Sequence, residues 1–217
     1  MEPVFAWPVR PRERFYVAAG YLDPAYRRAF GWPHTGEDWN LRTGGDSDLG
    51  YPVQAVFPGR VVAAAHYKVW GNLVVVEAEG WVREALEAAL GRPLPGLWVR
   101  YGHLHHVTVL PGEDVNAGEA VGSIGKGDRN RFVAHLHIDF PVRLPRPEAY
   151  PGEDEEVRRD YLDPALVWKA LKFADKPNLL PRGPLYAPAE RIIAQDGEAP
   201  RGAVVNAVQG KLFVRPA

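Results

Sequence analysis

The 217-residue chain contains no cysteine, which excludes disulfide staples, thiolate metal sites and cysteine nucleophiles together. Long apolar runs are missing too. No stretch approaches the roughly 18 residues of a membrane-spanning helix. The opening residues, MEPVFAWPVRPRERF, carry an early Glu, two prolines within the first eight positions and no uninterrupted apolar segment, so no signal peptide is expected there. Charge of one sign is also lacking. With 26 basic against 27 acidic residues the net charge is −1, which leaves no electrostatic footprint for nucleic acid or an anionic membrane surface. What the chain does have is ordinary globular material, 46% hydrophobic and 24% charged. That is enough at this length to bury a core without a metal or disulfide to hold it.

The 22 glycines and 21 prolines break the chain into short pieces. From Tyr51 onward the pieces are strand-like: PVQAV, RVVAAA, LVVVEAE, LWVRYGHL, HVTVL, EAVGSIG and FVAHLHIDF. Short β-branched runs between turn residues predict a mainly β protein built on an antiparallel sheet or sandwich. Residues Trp81–Leu90 interrupt the pattern with helical spacing, and Gly91 stops them. A second helix is predicted after Asp163-Pro164, capped by Asp163, stapled by Leu162 onto Val167 and running to about Ala174. The first thirty residues read as irregular apart from a short helix after Asp23-Pro24. This organisation gives a main domain over residues 1–174, with its core at 30–166 and a helical insertion at 81–90. A Pro-rich extension over 175–217 follows, with weak strands near Ile192 and over Val204–Val214.

The chemistry lies in the histidines. His34 and Asp38 are four apart in a segment where Pro33 and Gly36 oppose a helix, and even spacing in an extended chain puts both side chains on one side. In Val133–Phe140, period-2 parity gives an apolar face of Ala134, Leu136, Ile138 and Phe140, while His135, His137 and Asp139 share the other. Asp139 on that face is a candidate to orient a histidine ring. Tyr101, His103 and His105 share a face if their strand is regular. His66, His105 and His106 are assigned to surface or core roles. A carboxylate with two or more imidazoles and no thiolate suits Zn²⁺ held by three protein ligands with a fourth position open, as in a catalytic site.

These motifs, in this order, resemble the lysostaphin/LytM-type zinc endopeptidases of bacterial cell walls, over roughly residues 30–166. The family's His-x-Gly-x-Asp is matched at His34, Gly36 and Asp38, its Tyr-x-His-Leu at Tyr101, His103 and Leu104, and its His-x-His at His135 and His137. Its glycine hairpins fall at Gly50, Gly59, Gly71, Gly112 and Gly118. The resemblance implies one zinc ion per chain ligated by His34, Asp38 and His137, with His103 and His135 as catalytic imidazoles. It implies hydrolysis of peptide bonds in peptidoglycan cross-links or stems, and an extracytoplasmic location in the cell envelope. His135 is taken as the general base and His103 as the group that stabilises the carbonyl oxygen, with the reverse assignment left open. The insertion at Trp81–Leu90 is expected to add to a wall near the substrate groove. Two other readings stand beside this one: a LytM-like domain that binds or activates another wall hydrolase without catalysis, and a phosphocarrier, whose paired histidines need no metal. Oligomeric state is left open.

Overall fold

Alternation of apolar with small or polar residues, interrupted by turn residues, produces twelve short strands and four helices among residues 4–146 and 149–177, which the computed structural model describes. In chain order these are β1 (Phe5–Ala6), β2 (Phe15–Ala19), α1 (Pro24–Phe30), β3 (Glu37–Leu41), β4 (Pro52–Gln54), β5 (Gly59–Tyr67), β6 (Gly71–Ala78), α2 (Gly80–Leu90), β7 (Trp98–Val107), β8 (Asp114–Val115), β9 (Ala120–Ile124), β10 (Leu136–Pro141), α3 (Asp154–Asp160), β11 (Tyr161–Leu162), α4 (Pro164–Ala170) and β12 (Phe173–Ala174).

Ten strands form one antiparallel sheet. Its main path runs β2-β3-β10-β7-β6-β5-β8, with β9 added to β7, β4 to β9, and β11 to β10. The fold class expected from the sequence is the one observed. Leu136, Ile138 and Phe140 of β10 point into the main core with Val74, Val76, Val99 and Tyr101. Burial of each large aliphatic or aromatic side chain there contributes about 1.5–3 kcal/mol. The next residues of β6, Leu73 and Val75, point the other way and build a smaller cluster with Trp70. The apolar run LVVV is therefore buried on both faces, as a central strand requires. The metal-type residues lie on the face that carries this smaller cluster.

Several expectations need adjustment. The first thirty residues are not irregular: β2 is the edge strand paired with β3, and β1 pairs in parallel with β12. The helix after Asp163 stops at Ala170, where Leu171 turns extended. Leu171 and Phe173 then pack on the core at period 2, and Phe173 meets Phe5, Trp7 and Trp168. Helix α2 forms as expected and ends on Gly91 at φ 68°. Its buried residues Val82 and Leu86 join the main core, and it packs against α4. It is therefore committed to the face opposite the histidines and forms no wall beside them. Helix α3 was not anticipated. A capping box between Glu153 and Glu156 starts it, and Val157 anchors it. The strands expected near Ile192 and Val204–Val214 lie outside the described residues. None of the described helices is long and apolar enough to cross a membrane.

Candidate metal centre

Strand β10 supplies the frame. His137 pairs across the ladder with Asp38 of β3 on one side and Gly102 of β7 on the other, while Asp139 pairs with Arg100. Register alone thus sets a carboxylate beside the imidazole. His34 arrives from the loop before β3, and Gly36 lets that loop lie against β10. A Cβ at Gly36 would stand 2.2 Å from the Ile138 carbonyl oxygen and 2.5 Å from Asp139 Cβ. Gly102 has a similar task, since a Cβ there would meet the Trp70 ring at 2.9 Å and His137 Cβ at 3.3 Å.

The structure brings His34, Asp38 and His137 together with their ligand atoms all within 4.8 Å of one another. His34 Nε2 lies 3.1 Å from Asp38 Oδ1 and 3.1 Å from His137 Nδ1, and His137 Nδ1 lies 2.9 Å from the same carboxylate oxygen. The outer nitrogens are already engaged. His34 Nδ1 sits 2.7 Å from the Gly20 carbonyl, and His137 Nε2 sits 3.1 Å from Asp139 Oδ2. Each outer nitrogen donates its proton outward, so two imidazole lone pairs and a carboxylate oxygen face a common point. Three acceptors this close have nothing to share among themselves; only a proton or a cation relieves them. Tetrahedral zinc ligands at about 2.0–2.2 Å lie roughly 3.3–3.6 Å apart, a few tenths wider than these separations. The residues fit the ion.

His135 and His103 stand beside this cluster. His135 Nε2 is 3.7 Å from Asp38 Oδ1, and its ring centre is 4.7 Å from that of His103. Each has Nδ1 against a main-chain carbonyl, Val133 at 2.8 Å and Trp70 at 3.0 Å, which leaves Nε2 as the free lone pair. Tyr101 and His103 do not share a face. Tyr101 is in the main core, where its hydroxyl accepts from the Val56 amide at 2.9 Å. Bulges on both flanks of β7 and a left-handed His103, φ 60°, turn the histidine to the metal side. His66 is half-buried, with Nε2 3.1 Å from Asp128, and His105 and His106 are exposed.

Electrostatics follow burial and neighbours. Burial alone would raise the Asp38 carboxyl, but His34 and His137 overcome it and hold it well below the usual carboxylate range. Burial, with His135 and His137 close by, pushes His103 well below an ordinary imidazole. Asp139 is also buried, yet Arg100 and His137 hold it at about 2. Sequence reasoning missed Arg100, Thr35, Trp70 and Tyr26. Trp70 stacks on His103 and meets His137 edge-on, and Tyr26 stacks on His34 with ring centres 4.1 Å apart. The one available signal was Arg100, a charged residue between the apolar Val99 and Tyr101 and so on the opposite face. Exposed Phe30 and Trp32 precede His34 in the chain, and Phe132 packs on His103 and His135.

The chain belongs to Peptidase family M23, whose sequence model matches residues 33–146, a span that contains His34, Asp38 and His137 together with His103 and His135. Among solved structures, the chain is similar to lysostaphin in solution, with TM-score 0.53 and 19% identity over 84% of this chain and 60% of that one. A crystal structure of lysostaphin from Staphylococcus simulans gives TM-score 0.49 and 20% identity, covering 78% and 53%. The SpoIIIAH–SpoIIQ complex contains a chain similar at TM-score 0.50 and 20% identity, covering 74% and 97%. No curated protein matches.

Proposed function

We propose that this chain is a zinc-dependent endopeptidase acting on the peptide part of peptidoglycan, and that it works in the bacterial cell envelope. The observation that carries the reading is the convergence of two imidazole lone pairs and one carboxylate oxygen, with the outer nitrogens already donating elsewhere. His34, Asp38 and His137 would hold the ion, leaving one position open. A bound Zn²⁺ supplies a water of pKa about 7 and a Lewis acid for the scissile carbonyl. The remaining work falls to His135 and His103, both with Nε2 free. His135, closer to the ligand carboxylate, takes the proton of the attacking water and returns it to the leaving amine. His103, neutral at rest because it is buried, binds a proton more readily once negative charge develops on the carbonyl oxygen, and so stabilises that charge. Trp70 and Phe132 hold its ring in place. The substrate class rests on the resemblance of the motifs to those of the lysostaphin/LytM-type cell-wall endopeptidases. Residues 175–217 are proposed as an appendage to this domain.

A second reading, a partner-binding domain without hydrolysis, is favoured by the similarity to the SpoIIIAH–SpoIIQ complex, nearly all of whose matched chain is covered. The two part company at His135→Ala. On one preparation, bound zinc is measured by mass spectrometry and peptide release from purified peptidoglycan by chromatography. The expected outcome is about one zinc per chain in both proteins and hydrolysis reduced by about 10²–10⁴ in the variant. A zinc-replete wild type that releases nothing supports the binding domain, and an undiminished variant removes His135 from the mechanism.

A further inference from the structure

We propose that Arg100 is a positioning residue for the metal centre, and that it acts through Asp139 and Thr35 to fix which nitrogen His137 turns inward. The inference rests on the reading of His137 as a ligand. Of the four histidines at the centre, His34, His103 and His135 each set Nδ1 against a main-chain carbonyl. His137 is reversed: Nδ1 faces the other ligands, and Nε2 meets a side-chain carboxylate, Asp139 Oδ2. A carbonyl is fixed by the backbone. A carboxylate can rotate, so its orientation needs another cause.

That cause is a clamp. Arg100 Nε donates to Asp139 Oδ1 at 3.0 Å and its NH2 nitrogen to Oδ2, a forked contact that allows one carboxylate orientation. The Thr35 hydroxyl donates to the same Oδ2 at 2.6 Å, and Arg100 NH2 reaches Thr35 Oγ1 at 3.3 Å. Thr35 follows His34 directly, so the clamp ties the loop of one ligand to the strand of another. Arg100 and Asp139 are wholly buried, and the guanidinium lies 4.3 Å over the Trp70 ring. The guanidinium carbon also lies 5.4 Å from the centre of the Tyr161 ring. A buried ion pair adds little to stability compared with apolar residues of the same volume. Its geometric product is the orientation of His137.

The test uses the full chain and two readouts. Zinc affinity is measured by competition with a chromophoric chelator. The ring tautomer of His137 is read by nitrogen-15 NMR on zinc-free protein, with the pH carried upward until this ring is neutral, because Asp139 and Asp38 outweigh burial and raise its pKa above that of an ordinary imidazole. Arg100→Met should weaken zinc by about 10–100-fold and mix the tautomers. Arg100→Lys should recover only part of the affinity, because an ammonium cannot fork. Thr35→Val should weaken zinc less than Arg100→Met does. In an Asp139→Asn background, Arg100→Met should add little. A folded Arg100→Met protein with wild-type affinity and tautomer overturns the proposal, as does the same loss in the Asp139→Asn background. If Arg100→Met does not fold, unchanged Thr35→Val and Arg100→Lys proteins overturn it instead. A wild-type chain that binds no zinc overturns the ligand reading, while the tautomer still decides the clamp.

Discussion

At His103 the backbone takes the left-handed conformation, φ 60°, one residue beyond Gly102. Histidine is among the residues that accept this region, though at some cost. The distortion moves an imidazole from the core side of β7 to the metal side, into a position where burial and two neighbouring histidines keep it neutral. Stability should carry the mark of that. The folded pKa is depressed below the unfolded value of about 6.5, so between the two the unfolded chain binds more protons and the folded state loses ground as pH falls. One such group contributes a slope of up to about 1.4 kcal/mol per pH unit. In His103→Asn, whose new side chain tolerates the same backbone, urea unfolding of zinc-free protein should show a shallower loss from neutrality down to about pH 5. An unchanged slope would mean that His103 is not the buried neutral group described.

Among the elements, α1 has no buried face. It buries no residue fully; Asp23 accepts from the Ala25 amide at 2.7 Å, Gly31 closes it at φ 82°, and Arg27 pairs with Glu153 and Asp154. It nevertheless carries Tyr26, which covers His34. Loss of a cap of this kind costs about 0.5–2 kcal/mol, and in an element without a buried face that cost is felt as local opening. Asp23→Ala should therefore speed amide exchange over residues 24–30 with little change in global unfolding. Loss of global stability beyond about 2 kcal/mol would show that α1 is part of the cooperative core. The same scale explains what could be read from the sequence. His34, Asp38, His135 and His137 were legible because strand parity and short spacing are local properties. The contacts of Arg100 and Thr35 with Asp139 were not, because the fold brings these residues together from 39 and 104 positions apart. Tyr101 and His103 were misjudged because a bulge resets parity, and nothing in Tyr-Gly-His announces one. The acidic start of α3 was legible in Glu153 and Glu156 but was overlooked beside the following Asp163-Pro164 signal.

For the whole molecule, the metal face and the core face are separate sides of one sheet. Phe57, Leu136, Ile138 and Phe140 pack on the core side without any of the ligands. Chelation should accordingly leave the β-type circular dichroism intact at room temperature, with a lowered melting temperature as the only loss. Collapse of the spectrum on adding chelator would mean that the ion holds the fold.

The span that the family shares, residues 33–146, contains all three candidate ligands, yet the carbonyl that aligns His34 belongs to Gly20 and the ring stacked on it to Tyr26. On the core side, Trp168 donates to Glu37 at 2.9 Å from well beyond that span. Sequence kinship and mechanical independence thus have different borders in this molecule. Grafted into another host by recombination, the shared span would carry its candidate ligands but leave one of them free to swivel.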